Sequence, residues 1–394
     1  MQAERYVLFE VKGRSRGVGG PLESAFGSLG AEADAQLDLQ TADLTPSEAA
    51  TELGRPGVVG ARSMPLALIN PTAAGDAQRP DGPGVTWGVK AVGADTSPFT
   101  GAGIKVAVLD TGIDADHEVF AGATVTQMDF TGSGDGDMHG HGTHCAGTIA
   151  GRDVNGFRIG VAPGVPEILA GKVLGESGGS TETLLKAMQW ALDSGANVIS
   201  MSLGIDFPGQ VQRSVDEFGM NIQQATSRAL EDYRRNLALF GALANFLRLQ
   251  SLNGQPVVVV AATGNESERA AAKAYTVAIS PPAASDGFIG VGAIGQRPDG
   301  NFEIAPFSNT GAAVVGPGVD VLSAKPGGGY QTMNGTSMAT PHAAGVAALW
   351  AESIQKTTGS LTADAIAAKL RANGRFDPTF DPIDVGAGLV QAPG

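Results

Sequence analysis

The sequence predicts an α/β protein: a mainly parallel central sheet flanked by helices, preceded by a small N-terminal α+β domain. Three observations predict it. From Ile104 onward, short and nearly continuous apolar runs alternate with helical patterns, and strands without in/out alternation belong in a parallel sheet covered on both faces. The 57 glycines against 6% aromatic residues point to many tight turns and close backbone approaches rather than a long-helix bundle. A Pro-, Gly- and Asp-rich stretch, Asn70 to Gly84, sets this region apart from a short strand–helix unit before it.

In chain order, Tyr6 to Val11 reads as a strand, and Thr45 to Leu53 as a short helix after a polar stretch containing Asp43. A small apolar patch follows at Met64 to Ile69. The domains are therefore drawn at 1–70, a linker at 71–84, and 85–394. In the last of these, Ile104–Leu109, Glu167–Val173, Val198–Leu203, Val257–Ala262 and Phe288–Val291 read as buried strands. Thr181 to Ser194 carries Leu184, Leu185, Met188, Trp190 and Ala191 at helical spacing. A helix starts near His141 and another at Ser337; the latter, apolar nearly all round through Trp350, is expected to be central, with Pro341 tolerated in its first turns. Val211, Val215, Phe218, Ile222, Ala225, Ala229, Tyr233, Leu237 and Phe240 recur every three to four residues, giving one or two amphipathic helices within about 205–252.

Composition narrows function. A net charge of −14 over 394 residues argues against nucleic acid as a partner, and no apolar run reaches the length of a membrane span. The single cysteine, Cys145, rules out an internal disulfide framework. Without a signal-peptide core near Met1 the chain reads as cytoplasmic as written, and as secreted if a leader has been trimmed.

Three segments carry chemistry: Val108-Leu109-Asp110-Thr111-Gly112, His141-Gly142-Thr143-His144 and Gly335-Thr336-Ser337-Met338-Ala339. Asp110 ends a strand at the carboxyl edge of a parallel sheet, where open α/β folds build their sites, although Asp before Gly is also a turn residue. His141 lies among His139 and His144, a cluster that also fits a metal site. Ser337 at a helix start is ordinarily a cap. Taken together, in the order Asp, His, Ser, they match one of the chain orders in which the nucleophilic triad recurs.

These segments resemble those of the subtilisin-like serine peptidases, the subtilases. The resemblance extends through Lys172-Val173-Leu174, Ser202-Leu203-Gly204, Ala262-Thr263-Gly264-Asn265, Pro281-Pro282-Ala283 and Val385-Gly386-Ala387-Gly388-Leu389, most of residues 85–392. It implies a subtilisin-like three-layer fold and an endopeptidase in which Ser337 is the nucleophile, His141 its base, Asp110 the orienting carboxylate and Asn265 the oxyanion-hole amide. It implies further that Ser177, Gly178, Gly179, Ser202, Leu203, Gly204 and Gly264 receive an extended protein or peptide substrate. The N-terminal 70 residues look like a family prodomain, so the chain's own N-terminal domain is an expected intramolecular inhibitor, cut somewhere in Asn70–Gly84. No cofactor is required for such chemistry.

Some readings stay open beside this one. Using His139, His141 and His144, with Asp110, the chain would be a metal-dependent hydrolase; without chemistry it would be a binding protein on the same fold. Cys145 reads as a small apolar filler on the His141 helix. The family's structural calcium is left without assigned ligands: Asp129, Asp135, Asp137 and Asp153 lack a loop-like spacing, Val119 replaces an expected carboxylate, and Arg152 and Arg158 would repel a cation. Between Gly204 and Asn265 the spacing exceeds the family pattern, and the surplus around Val211–Tyr233 reads as an added surface helix, a lid, or a docking face.

Overall fold

The first strand runs longer than its apolar core, β1 (Glu4–Lys12), in a computed structural model that describes residues 3–12, 36–77 and 82–394. Residues 13–35 of the expected N-terminal domain and 78–81 of the expected linker lie outside the described residues. The stretch read as merely polar is a strand, β2 (Gln36–Leu44), whose half-buried Leu37 and Leu39 alternate with Asp38 and Gln40. Helix α1 (Pro46–Leu53) opens with a capping box, the Glu48 carboxylate accepting from the Thr45 backbone N–H at 2.8 Å. Strand β3 (Val58–Arg62) completes an antiparallel sheet in the order β2–β1–β3.

The apolar patch after it is β4 (Pro65–Leu68), and the stretch read as a linker contains β5 (Ala73–Ala77). Neither joins the N-terminal sheet. Both pair with the large domain, β4 between Gly179–Ser180 and Leu203–Ile205, and β5 with Tyr330–Asn334.

The large domain follows the expected alternation: β6 (Lys105–Asp110), β7 (Thr124–Asp129), α2 (His141–Ala150), β8 (Glu167–Lys172), β9 (Gly179–Ser180), α3 (Thr181–Asp193), β10 (Val198–Met201) and β11 (Leu203–Ile205). Then come α4 (Phe207–Asp216), α5 (Ile222–Leu252), β12 (Val258–Ala262), β13 (Ile289–Gln296), β14 (Phe302–Ile304), β15 (Val314–Pro317), β16 (Val321–Ala324), β17 (Tyr330–Asn334) and α6 (Thr336–Thr358). The central sheet has the order β14–β13–β12–β10–β6–β8–β7, with β15 also paired to β13. Every pairing in it is parallel except β13 with β14.

The expected strand Val198–Leu203 divides: β10 stays in the central sheet while β11 leaves it to pair with β4. One face of the sheet packs against α2 and α6 through Val106, Val108, Ile149, Val260, Ala343 and Val346. The other packs against α3 and α5 through Leu109, Leu184, Met188, Ile199, Leu243 and Val259. Helix α6 is buried from Thr336 through Glu352, as its apolar circumference requires.

The amphipathic stretch is two helices, α4 and α5, and its inner face differs from expectation. Ala225, Ala229 and Phe240 are buried, but Phe218 and Ile222 are exposed, and polar Asp232 and Asn236 take inward positions. Phe218 instead lies 5.1 Å from the Arg228 guanidinium. The inner face meets the N-terminal sheet, with Val7, Phe9, Ala61 and Met64 in one apolar cluster with Leu239, Phe240, Leu243 and Phe246. Among the described residues no helix is long and apolar enough to cross a membrane.

Candidate active site

The three chemical segments converge at the carboxyl edge of the central sheet. Asp110 is the last residue of β6, and one of its oxygens accepts from the Thr111 N–H at 2.8 Å. His141 is the first residue of α2, and its Nδ1 lies 2.7 Å from Asp110 Oδ1. This approach needs a bare backbone beside it, because a Cβ on Gly142 would strike the carbonyl oxygen of Gly112. Asp137 fastens the turn before α2: its carboxylate accepts from Thr111 Oγ1, the N–H groups of His139, Gly140 and Thr143, and Thr143 Oγ1.

Burial pulls the His141 pKa down, but the Asp110 carboxylate outweighs it and holds the imidazole well above its usual range. Cys145, one turn along α2, sits with its Sγ 3.8 Å from His141 Nδ1, and burial raises its thiol pKa. Ser337, in the first turn of α6, is fully buried.

What buries it is the chain itself. Leu68, Ala67 and Leu66 pair with Leu203, Gly204 and Ile205 on one side, while Leu66 and Pro65 pair with Gly179 and Ser180 on the other. The Ile69 N–H bonds to the Ser202 carbonyl at 3.4 Å. Ser337 Oγ donates to the Ile69 carbonyl at 2.9 Å, and Asn265 Nδ2 donates to the Asn70 carbonyl at 2.9 Å. His141 Nε2 is left buried without a hydrogen-bond partner. Asn265 is held in position through its other atom, Oδ1, which accepts from the Thr336 N–H and Oγ1 at 2.8 and 2.9 Å. Past Pro71 the chain continues as β5 along β17, so it crosses the site and leaves on the far side.

Among the sequence-predicted residues, Asp110, His141, Ser337 and Asn265 therefore lie at one locus, and Gly179, Ser202, Leu203 and Gly204 line the occupying strand. Gly178 stands beside it, where a Cβ would come within 2.9 Å of the Leu66 carbonyl. Ser177 does not share that edge; it is exposed at the tip of the turn closed by Gly175 and Gly178. Gly264 adopts a φ of 115°, and its N–H faces Thr336 Oγ1 at 3.3 Å, so it supports the Asn265 loop. Sequence reasoning missed Ser180, Ile205 and the whole of β17. The short run Tyr330-Gln331-Thr332-Met333, bounded by Gly327–Gly329 and Gly335, was the available signal.

The three histidines do not form a metal site. His144 turns its Nε2 to the Val321 carbonyl at 2.9 Å, its pKa held down to about 3 by burial, and His139 is exposed. Among the described residues, the one cluster whose ligating atoms lie within 4.8 Å of one another is Asp110, His141 and Cys145, and His141 Nδ1 already faces both of the others. Around α2 the oxygens are already in use. Asp137 is committed to the turn before α2, and Arg152 and Arg158 donate to the carbonyls of Ala150, Val165, Gly160 and Val161 in the loop after it. Oxygens that a cation would need there already face guanidinium groups.

A profile of the Subtilase family matches residues 101–381. Over 273 residues the chain is 38% identical to M-protease of Shouchella clausii and to Subtilisin Savinase of Lederbergia lenta. The aligned stretch is 67% of this chain in both cases; it spans 59% of M-protease, less than two thirds of that protein, and 83% of Subtilisin Savinase.

Proposed function

The chain belongs to the Subtilase family of serine endopeptidases built on an Asp-His-Ser triad, and on that premise we propose that it hydrolyses internal peptide bonds of proteins, with Ser337 as nucleophile and its own N-terminal segment as resident inhibitor. His141 takes the Ser337 proton as the hydroxyl attacks a peptide carbonyl, and returns it to the leaving amine. Asp110 fixes the imidazole tautomer through the Nδ1 contact and stabilises the imidazolium. The Asn265 amide and the Ser337 backbone N–H donate to the oxygen that becomes negative, a contribution of about 10²–10³ in rate per donor. Water then releases the acyl group from Ser337 by the same proton path. A metal-dependent mechanism is not favoured.

One observation carries the reading: an extended polypeptide already lies through the site, paired with main chain on both sides of Ser337. A cleft that admits chain in both directions suits an endopeptidase, and strand addition is a recurring mode of peptide binding. The bound segment is held in an unreactive register. The carbonyl that accepts the Ser337 Oγ hydrogen bond is that of Ile69, whereas the carbonyl on the Asn265 amide is that of Asn70. Attack requires one carbonyl to meet both groups. The next bond, Asn70–Pro71, is a tertiary amide whose ring carbon crowds the nitrogen that His141 would protonate. Residues 65–77 thus act as a strap rather than a substrate.

Intact-mass analysis of the purified chain beside its Ser337→Ala form, together with labelling by a serine-directed phosphonate, tests this. We expect self-cleavage and labelling only with Ser337 present, and labelling that rises once residues 1–70 are removed. Equal labelling of intact and cut enzyme would refute the strap.

A further inference from the structure

Among the described residues, helices α4 and α5 give no hydrogen bond to Asp110, His141 or Ser337, yet the inner face of α5 carries a buried carboxylate. Asp232 is 1% exposed, and one turn further Asn236 is fully buried. An ionised group in such a position is costly unless a partner of opposite charge reaches it. Here the partner comes from the N-terminal domain: Arg62, the last residue of β3, places Nη1 3.1 Å from Asp232 Oδ1 and 3.3 Å from Oδ2. Arg62 Nε contacts Glu4 of β1 at 3.1 Å, and Glu4 also pairs with Arg228 of α5, which lies 4.0 Å from Asp232. The Arg62 guanidinium is further fixed by the Tyr6 hydroxyl at 2.9 Å.

Backbone contacts seat the same strand end. Asn236 Nδ2 donates to the Arg62 carbonyl at 3.0 Å, and Asn236 Oδ1 accepts from Thr181 Oγ1 at 2.9 Å. Thr181 Oγ1 in turn faces the Met64 N–H at 3.1 Å, where the chain turns towards the cleft. Beside this polar patch, Phe9 meets Phe246 edge-on with ring centroids 6.2 Å apart.

We infer that the Arg62–Asp232 pair, at the contact between α5 and the N-terminal sheet, is what makes this catalytic domain selective for its own N-terminal domain. The partner chemistry is specific: a β-sheet edge that presents an arginine at the end of its last strand, beside an aromatic residue. An otherwise similar sheet with an apolar residue at that point leaves buried Asp232 with only the more distant Arg228, at 4.0 Å, to balance it. The inference rests on the self-inhibitor reading only for its biological use, since docking can be measured without peptidase activity.

The test uses the full chain with Ser337→Ala, so that no self-cleavage occurs, and reads amide hydrogen exchange at Tyr6 to Phe9. Arg62→Met keeps an unbranched stem but removes the charge, and should speed exchange there by roughly 10- to 100-fold, with the amides of Val346 to Leu349 in α6 unchanged. Adding Asp232→Asn on the catalytic side should cancel most of that effect, because the penalty is the orphaned carboxylate. Unchanged exchange in Arg62→Met, or an equal effect of Arg62→Met in the Asp232→Asn background, would overturn the inference. If exchange responds as expected but Arg62→Met in the Ser337 chain gives no faster initial hydrolysis, selective docking is upheld and the self-inhibitor reading falls.

Discussion

Leu66 offers a direct measure of how tightly the strap closes the cleft. Its side chain is 2% exposed, sits in the apolar cluster with Leu174, Leu185 and Ile205, and its backbone pairs with both Gly179 and Ile205. Truncating a buried leucine to alanine costs about 2–5 kcal/mol, and the lower part of that range applies to a short strand that can relax towards solvent. A loss of about 2–3 kcal/mol from the closed state alone raises the open fraction roughly 30- to 150-fold, at about 1.4 kcal/mol per factor of ten. The assay is the initial rate of hydrolysis of a chromogenic peptide by the intact Leu66→Ala chain, with its mass verified before and after the measurement. The fully processed enzyme supplies the control, because it no longer contains residue 66 and must keep the parent kcat/KM. An unchanged initial rate in the intact variant, or a proportional change in the processed enzyme, would refute the reasoning.

Other outcomes follow from the same geometry. Asn265→Ala in the processed enzyme should lower kcat about 10²–10³-fold with little change in KM, since the amide acts on charge that develops after binding. An organomercurial should inhibit slowly, because Cys145 is buried and its thiol pKa is raised, and Cys145→Ala should abolish the inhibition while leaving peptide hydrolysis intact. Chelator treatment should leave the thermal midpoint unmoved, with Arg152 and Arg158 already on the loop carbonyls; a drop of several degrees would contradict this. Docking of the N-terminal domain should weaken as pH rises. Burial lifts the Asp232 pKa from 3.8 to about 6, against the pull of Arg62 and Arg228 and with help from Glu4 and Glu231. A raised acid favours the docked state in its protonated form, so docking is strongest below the free value and declines as pH passes through 6. Exchange at Tyr6 to Phe9 should thus be about tenfold slower at pH 5 than at pH 7.5, after correction for intrinsic exchange, and Asp232→Asn should flatten the difference.

The sheet and the triad were legible because each rests on a local signal. Buried parallel strands lack alternation, as Val106 to Leu109 and Val258 to Ala262 do, and Asp110, His141 and Ser337 each stand at an element end where glycine marks the turn. The strap was not legible, because its partners are remote: Pro65–Leu68 is a short apolar run whose strand identity depends on edges 110 to 140 residues away. Composition made Ala73–Ala77 look like linker for the same reason. The inner face of α5 misled in another way. A period of three to four selects apolar positions, and Asp232 and Asn236 at inward positions break it, since their burial is balanced by Arg62 and Thr181 on other elements.

Two contacts hold the N-terminal domain in place, the strap in the cleft and the sheet on α5, and they differ in what a chain cut does to them. If the strap is the proposed inhibitor, then while the chain is intact it competes with substrate at an effective concentration of the order of millimolar, so even a modest intrinsic affinity keeps the cleft filled. A cut between β5 and the large domain spares the pairing of β4 with β9 and β11 and of β5 with β17 but turns their retention into a bimolecular equilibrium. At micromolar protein that is about a thousandfold dilution. Retention then depends on the summed interface, in which the Leu66 contact and the Arg62–Asp232 seat are each sensitive to a single side chain. The unreactive register at Ile69 and Asn70 makes the strap slow to destroy, and the seat on α5 sets how fast it leaves. Activation by cleavage alone is therefore incomplete until the N-terminal sheet dissociates from α5 or is itself digested, and onset of activity should lag the appearance of the cut chain by an interval that Arg62→Met shortens.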